Sequence, residues 1–365
     1  VTQQLTNIFF KVLGVAVYAF LYEFRFFTIP DTLFTFILLF IAADFCYYWA
    51  HRMSHEINLF WGGHVVHHQS EDYNFSVALR QGSFQIIWTF SFYLPLALIG
   101  FNPTTFVFVS ALDTVYQFWI HTETIGKLGW LEYIFNTPSH HRVHHGRDPK
   151  YIDRNHAGVF IIWDKMFGTF QEEEERPVYG ITKPANSWNP LWVNLAHYHE
   201  MWQTLKKIPG SRDKMKYLFY KPGWMPESMG GMQPIPHVDR TAYRKYNPSF
   251  SKGMIPYVMF QYIIALGVTA LFLFTYENYV WYQNLIIVAS IMLLIIACGG
   301  ILENRGWVTS LEITRIAATL GAAIVMYLFM GFPFLLIPFV TIYSVVSGIW
   351  FMILQRQLKS TISIT

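Results

Sequence analysis

The sequence has 365 residues, of which 53% are hydrophobic, 19% are aromatic and only 13% carry a charge. Because about a quarter of the residues in soluble globular proteins are charged, this composition argues against a water-soluble chain and favours one that faces lipid. The formal net charge of +3 is small and gives no indication of a nucleic-acid partner. Two cysteines, Cys46 and Cys298, are too few for a disulfide framework and are interpreted as apolar core residues.

The first part of the chain contains four apolar stretches that predict membrane helices. A helix needs about 20 apolar residues to cross the hydrocarbon core, and such stretches lie near residues 8–27, 31–50, 84–100 and 104–121. The first stretch predicts either a span or a helix in the interface. The turn sequence FNPTT joins the last two into a hairpin, which returns the chain to the membrane face that it left.

Residues 122–250 contain no apolar stretch of spanning length and are rich in Pro, Trp, Tyr, Lys and Arg. Basic loops usually lie on the cytoplasmic side of a membrane, so this region is predicted to form a cytosolic cap. The basic residues of the predicted loop 303–315 and of the C-terminal tail favour the same orientation. The acidic run at 172–175 is interpreted as a solvated loop of the cap.

The last part of the chain predicts four membrane spans. No charged residue occurs from Ile255 to Tyr276, from Asn278 to Leu302, or in the segment 316–355, where a turn at 331–333 separates two spans. The sequence therefore predicts an all-α polytopic membrane protein with two domains. Residues 1–250 form a membrane-embedded domain with its cap, and residues 251–365 form a four-span transmembrane bundle.

Histidines are concentrated where the predicted helices end. His51 and His55 are spaced i,i+4, which places both side chains on one face of a helix. Two HxxHH motifs occur further along the chain, and they consist of His64, His67 and His68, and of His141, His144 and His145. The hairpin ends at His121, so all nine imidazoles are predicted to converge at one membrane face.

This convergence predicts a metal centre with two ions. Neighbouring residues of a helix diverge by about 100°, so each HxxHH motif can direct its adjacent imidazoles towards two different ions. Nine imidazoles provide four or five ligands for each ion. A lone histidine is more often a hydrogen-bonded core or interface residue, and His197, His199 and His237 are interpreted in this way. For His140 the roles of tenth ligand, orienting group and spectator stay open.

The identity of the metal is a separate inference. Imidazole binds Zn, Fe, Cu and Ni alike, whereas a structural zinc site usually has four ligands with thiolates among them. Nine imidazoles exceed that need, so two iron ions able to activate O₂ are the favoured interpretation, and zinc can replace iron in recombinant material. The carboxylate-rich sites of ferritin-like bundles have a different donor set.

The histidine motifs and the segment NHAGVFIIWDKMFGTF at 155–170 resemble the membrane fatty acid hydroxylase and sterol desaturase superfamily. Its signature comprises HxxxH, HxxHH and a late HxxHH, followed by a segment that ends in WDxxFGT. Within this superfamily, the stretches SEDYNFSVALRQ, YQFWIHTE and FNTPSHHRVHHGRD are similar to the members that oxidise ether lipids. The similarity extends to the segment ENRGWVTSLEITR and the four C-terminal spans, so it covers nearly the whole chain.

The resemblance implies a monooxygenase of the endoplasmic reticulum membrane, with its active site facing the cytosol and residues 1–250 as its catalytic domain. It implies that O₂, two non-haem iron ions and tetrahydrobiopterin take part. The implied substrate is a 1-O-alkylglycerol or lyso-ether lipid that is hydroxylated on the carbon next to the ether oxygen. The resulting hemiacetal collapses to a fatty aldehyde and a glycerol derivative. The usual family chain begins earlier, so this sequence is expected to lack an N-terminal segment.

The same resemblance suggests roles for further residues. Glu56 matches a glutamate of the family motif that is important for activity, and the alternative is a solvated or helix-stabilising carboxylate. Asp72, Glu123 and Asp164 are candidates for orienting imidazole N–H groups, although each is more often a surface or capping residue. His156 stands where relatives often have an aromatic residue, which leaves a contact to the pterin or to the metal open.

Two other kinds of function stay open. One is another lipid oxidase of the superfamily, such as a sterol, sphingoid or fatty-acyl hydroxylase or a desaturase. The other is a non-catalytic protein that binds or transports metal. Transporters usually place their ligands near the bilayer midplane and show repeated halves, whereas these histidines flank spans at one face and the sequence shows no repeat. The sequence does not indicate an oligomeric state.

Overall fold

The structure is a computed structural model of the chain. It describes residues 1–362, except for the side chains of Phe9, Lys11, Lys252 and residues 357–362. Helices account for the regular secondary structure, and in residues 1–362 only isolated bridges occur in place of β-strands. The predicted all-α fold is therefore confirmed.

The described residues form fifteen α-helices. Nine of them precede the middle of the chain, and they are α1 (Thr2–Tyr22), α2 (Leu33–Glu56), α3 (Asn58–His68), α4 (Phe75–Ala78), α5 (Gln85–Thr89), α6 (Leu94–Ile99), α7 (Pro103–Trp119), α8 (Pro138–His144) and α9 (Ile162–Met166). The other six are α10 (Pro190–Lys207), α11 (Ser211–Phe219), α12 (Ile255–Thr275), α13 (Trp281–Leu302), α14 (Val308–Met330) and α15 (Leu336–Ile362).

Within the described part of the chain, six helices are long and apolar enough to cross a membrane. They are α1, α2 and the four helices α12 to α15. The four predicted C-terminal spans are all present, and α14 ends at Gly331, whose φ of 72° lies in the left-handed region that glycine adopts readily. The chain is therefore a multi-pass membrane protein by the length and composition of its helices.

The predicted hairpin near 84–121 is present, but its arms are shorter than the spanning helices. Its first arm consists of α5, a 3₁₀ turn at Phe90–Tyr93 and α6, and its second arm is α7, with 17 residues. Where the sequence predicted eight spans, the described residues thus contain six helices of spanning length. The difference arises because the apolar pattern does not reveal the break at 90–93, whereas the end of the arm at Gly100 agrees with the prediction.

The helix α2 is longer than predicted and carries the first two histidines. A capping box starts it, because Thr32 and Thr35 each accept the backbone N–H of the other through their hydroxyl groups. The charge-free stretch stops at Asp44 and the predicted span at residue 50, but the helix continues to Glu56. Asp44 is tolerated inside it because its carboxylate accepts the backbone N–H groups of Val159 and Phe160 and the indole N–H of Trp163.

Contacts divide the chain into two compact units. One comprises residues 6–185 and 194–245 and contains all the clustered histidines. The other comprises residues 1–5, 186–193 and the chain from 246 onward, and the core of its four long helices contains Tyr257, Ala265, Leu294 and Phe351. The assignment of residues 1–250 as the catalytic domain, with a cap at 122–250, stays a prediction.

The segment 303–315 is not the loop that the sequence predicted. The helix α14 begins at Val308, and the side chains of Glu312 and Arg315 are buried within it. These two residues form an ion pair inside the bundle. Their charges are therefore matched within the protein and carry no information about which membrane face is cytosolic.

Candidate metal centre

Nine histidine side chains of the described chain lie in two buried groups. In each group, one ring nitrogen of every member lies within 4.8 Å of those of the other members. The first group contains His51, His55, His64, His68 and His144, and the second contains His67, His121, His141 and His145. These are the nine residues that the motif spacing predicted to converge. His140 lies outside both groups.

The helices explain how each HxxHH motif is shared between the two groups. In α3, His64 and His68 enter the first group while His67 enters the second. In α8 the arrangement is reversed, because His141 and His145 enter the second group and His144 enters the first. Residues i and i+4 lie on one face of a helix, whereas the residue at i+3 points to one side of them. Adjacent imidazoles therefore face different groups, as the spacing predicted.

The two groups adjoin each other. The rings of His68 and His145 stack with their centroids 4.5 Å apart, and the centroids of His67 and His145 are also 4.5 Å apart. Two aromatic side chains cover the rings from outside. Trp61 lies 5.0 Å from the ring of His55, and Tyr73 lies 5.1 Å from that of His145. The groups thus form one shielded centre with two sets of ligand atoms.

Backbone carbonyl groups determine the tautomers of four of these histidines. A carbonyl oxygen only accepts hydrogen bonds, so the ring nitrogen that contacts it must carry the proton. The four contacts join Nδ1 of His51 to the oxygen of His156 at 2.8 Å, His67 to Arg80 at 3.1 Å, His121 to Gln117 at 2.7 Å, and His144 to Arg154 at 2.9 Å. In all four, Nε2 is left as the atom with the free lone pair.

These tautomers leave lone pairs that face each other. The Nε2 atoms of His67 and His121 are 3.3 Å apart, although both rings already donate from Nδ1. Two such nitrogens cannot form a hydrogen bond, because neither carries a proton, but they can share a cation. Buried ring nitrogens without a hydrogen-bond partner among the described residues occur on His55, His64, His141, His144 and His145. This donor set fits metal ions.

Burial keeps the imidazoles neutral. Desolvation is the main reason why the pKa of His64 is lowered to about 3, that of His67 to about 4 and that of His121 to about 3. The imidazole of His67 lowers the pKa of His64 and His121 further, and the charge of Arg80 does the same for His67, because like charges repel each other. Neutral imidazole is the form that binds metal, so the lone pairs are available near neutral pH. A set of imidazoles alone is compatible with zinc and with iron.

The structure places Glu56 beside the centre and not in it. Its carboxylate contacts Arg52 at 3.2 Å and Lys221 at 3.3 Å, while Lys221 also lies 3.6 Å from Asp153. Asp153 in turn lies 3.6 Å from Nδ1 of His55. Glu56 therefore belongs to an ion-pair cluster at the edge of the first group, and its catalytic role stays a prediction.

Of the three carboxylates proposed to orient imidazoles, one lies near a histidine ring. Asp72 pairs with Lys245, and Glu123 pairs with Arg176. Asp164 is fully buried, and its Oδ1 lies 3.7 Å from Nδ1 of His156.

Sequence reasoning missed Gln85 and Asp153. Gln85 belongs to the segment 82–85, which packs closely on α3: a Cβ on Gly63 would lie 3.0 Å from the backbone of Gln85. A Cβ on Gly82 would lie 1.8 Å from the carbonyl oxygen of Gly63, so this approach requires glycine. Asp153 has a φ of 58°, an uncommon conformation that Asp and Asn adopt more readily than most residues. Neither residue belongs to a histidine motif, so spacing could not reveal them.

The acidic run at 172–175 is only partly the solvated loop that was predicted. Glu172, Glu174 and Glu175 are exposed, but Glu173 forms two hydrogen bonds with the guanidinium of Arg142, at 2.8 and 2.6 Å. Arg142 is buried within α8 and also donates to two backbone carbonyl groups. Glu173 therefore anchors α8, which contains His141 and His144 and is followed directly by His145.

Comparisons with known proteins identify relatives of the chain. Residues 36–169, which contain all nine histidines, match the fatty acid hydroxylase family. Alkylglycerol monooxygenase of Homo sapiens is 44% identical over 73% of this chain and 60% of its own length, and that of Xenopus tropicalis is 37% identical over 96% and 79%. An ornithine lipid hydroxylase of Rhizobium tropici is 32% identical over 36% of this chain and 40% of its own length. No solved structure matches.

The fold and the histidine groups thus define a multi-pass helical membrane protein with a histidine-rich site that could hold metal. The chain spans less than two thirds of the human relative's length but four fifths of the Xenopus relative's. The chain belongs to the alkylglycerol monooxygenase family.

Proposed function

We propose that this protein oxidises ether lipids. Its substrates are 1-O-alkylglycerols and lyso-ether lipids, and it hydroxylates the carbon next to the ether oxygen with O₂ and tetrahydrobiopterin. One oxygen atom of O₂ enters the C–H bond and the other leaves as water, while the pterin gives up two electrons and two protons. The hemiacetal then loses its C–O bond to the glycerol and yields a fatty aldehyde and a free hydroxyl group.

The observation that supports this proposal most directly is the pair of imidazole groups whose lone pairs face each other. The residues that would hold two iron ions are the five members of the first group and the four of the second. Iron ions bound there supply the ability to activate O₂ and to oxidise an unreactive C–H bond. Zinc fits the same ligands and is expected in some recombinant preparations.

The residues of the chain would bind the metal ions, orient the imidazole rings and shield the centre from water. The carbonyl groups that accept from Nδ1 hold four rings with Nε2 towards the centre, so little rearrangement is needed when metal binds. Burial of all nine rings, with Trp61 and Tyr73 over them, excludes water from the reacting atoms. Exclusion of water protects a strong oxidant from unproductive reactions.

The position of the centre along α2 suits an ether lipid. His51 and His55 lie in the last two turns of a helix that is apolar and long enough to span, so the centre lies near one end of a span. The ether oxygen of a glycerolipid lies at the boundary between head group and hydrocarbon. We further propose that this end of α2 faces the cytosol and that the membrane is that of the endoplasmic reticulum.

The test is an assay of the purified chain in detergent after loading with iron. Aldehyde release from 1-O-alkylglycerol is measured with and without tetrahydrobiopterin, for the wild type, for His144→Ala and for His237→Ala. His144 belongs to the first group, whereas His237 is an exposed histidine elsewhere. We expect aldehyde only with pterin, loss of at least two orders of magnitude in His144→Ala, and no change in His237→Ala.

The absence of aldehyde from a folded, iron-loaded sample would refute the ether-lipid assignment. A panel of sterols, sphingoid bases and fatty acyl lipids then distinguishes the remaining lipid oxidases. If no lipid is oxidised although two metal ions are bound, a non-catalytic metal-binding protein is the better description.

A further inference from the structure

His156 is a buried histidine that the nine-residue centre does not include. Its exposure is 0%, and neither of its ring nitrogens has a hydrogen-bond partner in the part of the chain that the structure describes. Leaving a buried polar atom without a partner is destabilising, because the atom loses its hydrogen bonds to water and gains none in return. A purely structural core residue at this position would not need an imidazole. The pair of unpartnered nitrogens therefore points to a ligand.

The ring of His156 lies beside the first histidine group. Its centroid is 5.1 Å from that of His55, 5.7 Å from that of His144 and 5.8 Å from that of His51. Members of the group itself are separated by similar distances, such as 4.4 Å between His51 and His144 and 5.3 Å between His51 and His55. His156 thus borders three of the five rings of the first group at somewhat larger separations, and its ring nitrogens lie outside the set within 4.8 Å of one another.

Asp164 lies on one side of this ring. Its Oδ1 is 3.7 Å from Nδ1 of His156, and its carboxylate is held by the backbone N–H groups of His156 and Ala157, both at 2.8 Å, and by the hydroxyl of Thr169 at 2.7 Å. A carboxylate near one ring nitrogen favours the proton on that nitrogen and leaves the lone pair on the other. Metal-binding histidines are usually oriented by such an acceptor.

The backbone around His156 forms hydrogen bonds with members of the first group. The carbonyl oxygen of His156 accepts from Nδ1 of His51, and that of Arg154 accepts from Nδ1 of His144. Between them, Asn155 has a φ of 55°, and its side chain donates to the carbonyl groups of His140 and Gln171. The segment that presents His156 is therefore held in place by several contacts and is not a mobile loop end.

We propose that His156 is a tenth imidazole ligand, which completes the first group as a set of six, and that Asp164 orients it. This proposal rests on the metal centre proposed above. Six imidazoles match the six positions of an octahedral ion, whereas the second group, with four, retains positions for other ligands. The two sites would then differ in their number of imidazoles, with six in the first and four in the second.

The test uses cobalt(II), whose visible absorption reports coordination number without any turnover. The metal-free full chain in detergent is titrated with cobalt as wild type, as His156→Phe and as His140→Phe. His140 is the matched control, because it is also buried and also has an unpartnered Nδ1 among the described atoms, but it packs against Phe170 outside both groups. Size-exclusion profiles and melting of the metal-free samples establish that each variant is folded.

We expect the wild type and His140→Phe to bind two ions with the same affinities and spectra. In His156→Phe one of the two ions should bind about 10- to 100-fold more weakly, and its absorption should become stronger because a six-coordinate ion becomes five-coordinate. Asp164→Asn should weaken the binding of the same ion by a smaller factor. If His156→Phe does not fold, His156→Leu, which also lacks a ligand atom, replaces it in the same titration.

The outcomes separate this proposal from the proposed function. If His156→Phe binds two ions with wild-type affinity and spectrum, the tenth ligand is refuted while the ether-lipid activity is unaffected. If His140→Phe weakens binding and His156→Phe does not, the ligand has been assigned to the wrong residue. A wild type that binds no cobalt refutes both the ligand and the metal centre. A cobalt effect of His156→Phe in a protein without aldehyde release supports the ligand alone.

Discussion

Two buried polar clusters of this protein, one around Arg315 and one formed by the histidines, differ in how their groups are hydrogen-bonded. In the four-helix C-terminal region, Arg315 donates to Glu312 at 2.9 Å, to the hydroxyl of Tyr343 at 2.7 Å and to the side-chain oxygen of Gln261 at 3.3 Å. Tyr257 also donates to Glu312. In the histidine centre, by contrast, buried nitrogens face each other without a shared proton or lack a partner among the described residues.

The contrast shows how a structural polar cluster differs from a ligand site. A network whose donors and acceptors match, such as the one around Arg315, links α12, α14 and α15 and needs nothing else. Buried polar groups that lack partners are rare in native proteins and call for an explanation. The C-terminal network is therefore interpreted as structural, although charged residues in a membrane helix are often functional.

The largest expected difference between the regions is in their response to pH. In the metal-free protein the pKa values of about 3 for His64 and His121 and about 4 for His67 lie below the value of about 6.5 for unfolded histidine. Below pH 6.5 the unfolded chain therefore binds protons that the folded chain does not, so stability is lost as the pH falls towards 4. These three residues alone contribute about 4 kcal/mol per pH unit.

This prediction is measured by unfolding the metal-free protein in detergent at pH 7.5, 6.5 and 5.5. The free energy of unfolding should fall slightly between pH 7.5 and 6.5 and more steeply between pH 6.5 and 5.5. His64→Leu should reduce the slope by about 1.4 kcal/mol per pH unit. A flat profile between pH 6.5 and 5.5 would contradict the assignment of buried neutral imidazoles.

Breaking the C-terminal network should lower the free energy of unfolding by nearly as much as one pH unit does in the previous prediction. Arg315→Met leaves the Glu312 carboxylate buried without its cation, which is expected to destabilise the protein by about 3 to 5 kcal/mol. The double variant Glu312→Leu with Arg315→Met removes both charges and should recover most of that loss. Melting in detergent measures both, and a double variant no more stable than Arg315→Met would indicate that the network has a role beyond charge matching.

A smaller effect is expected within the acidic run at 172–175. Glu173→Gln weakens the paired hydrogen bonds to the buried Arg142 and should destabilise the protein by about 2 kcal/mol. Glu172→Gln removes an exposed pair with Lys127 and should change stability by less than about 1 kcal/mol. Equal melting temperatures for the two variants would show that Glu173 does not anchor α8.

The smallest expected effect is an increase in the stability of the metal-free protein. In the metal-free protein His145→Leu replaces a buried ring whose Nε2 has no partner in the described structure, and an apolar side chain of similar size should stabilise the fold by about 1 kcal/mol. With metal present the same variant should lose an ion and become less stable than the wild type. Melting with and without cobalt compares the two states, and destabilisation in both would place His145 among structural residues.

Much of the architecture could be predicted because it depends on local patterns. Length and apolar composition determine which helices can span a membrane, so they predict α2 and α12 to α15, whereas α1 occupies Thr2–Tyr22 and not the predicted stretch 8–27. The spacing of HxxxH and HxxHH determines which imidazoles share a helix face, and it therefore anticipated nine residues in two sets. Helix breaks such as the one at 90–93 depend on packing as well as on hydropathy, and they were missed.

What only the tertiary structure decided is which buried polar group has a partner. Glu173 and Glu172 are neighbours in one run of glutamates, yet only Glu173 meets Arg142, which lies 31 residues away in sequence. His156 and His140 are both single additional histidines, yet only His156 lies against the first group. The sequence alone determined the helices and the ligand spacing because both arise within a few residues. Partners come from segments far apart in the chain, so only the fold decides whether a buried group is satisfied or left for a metal.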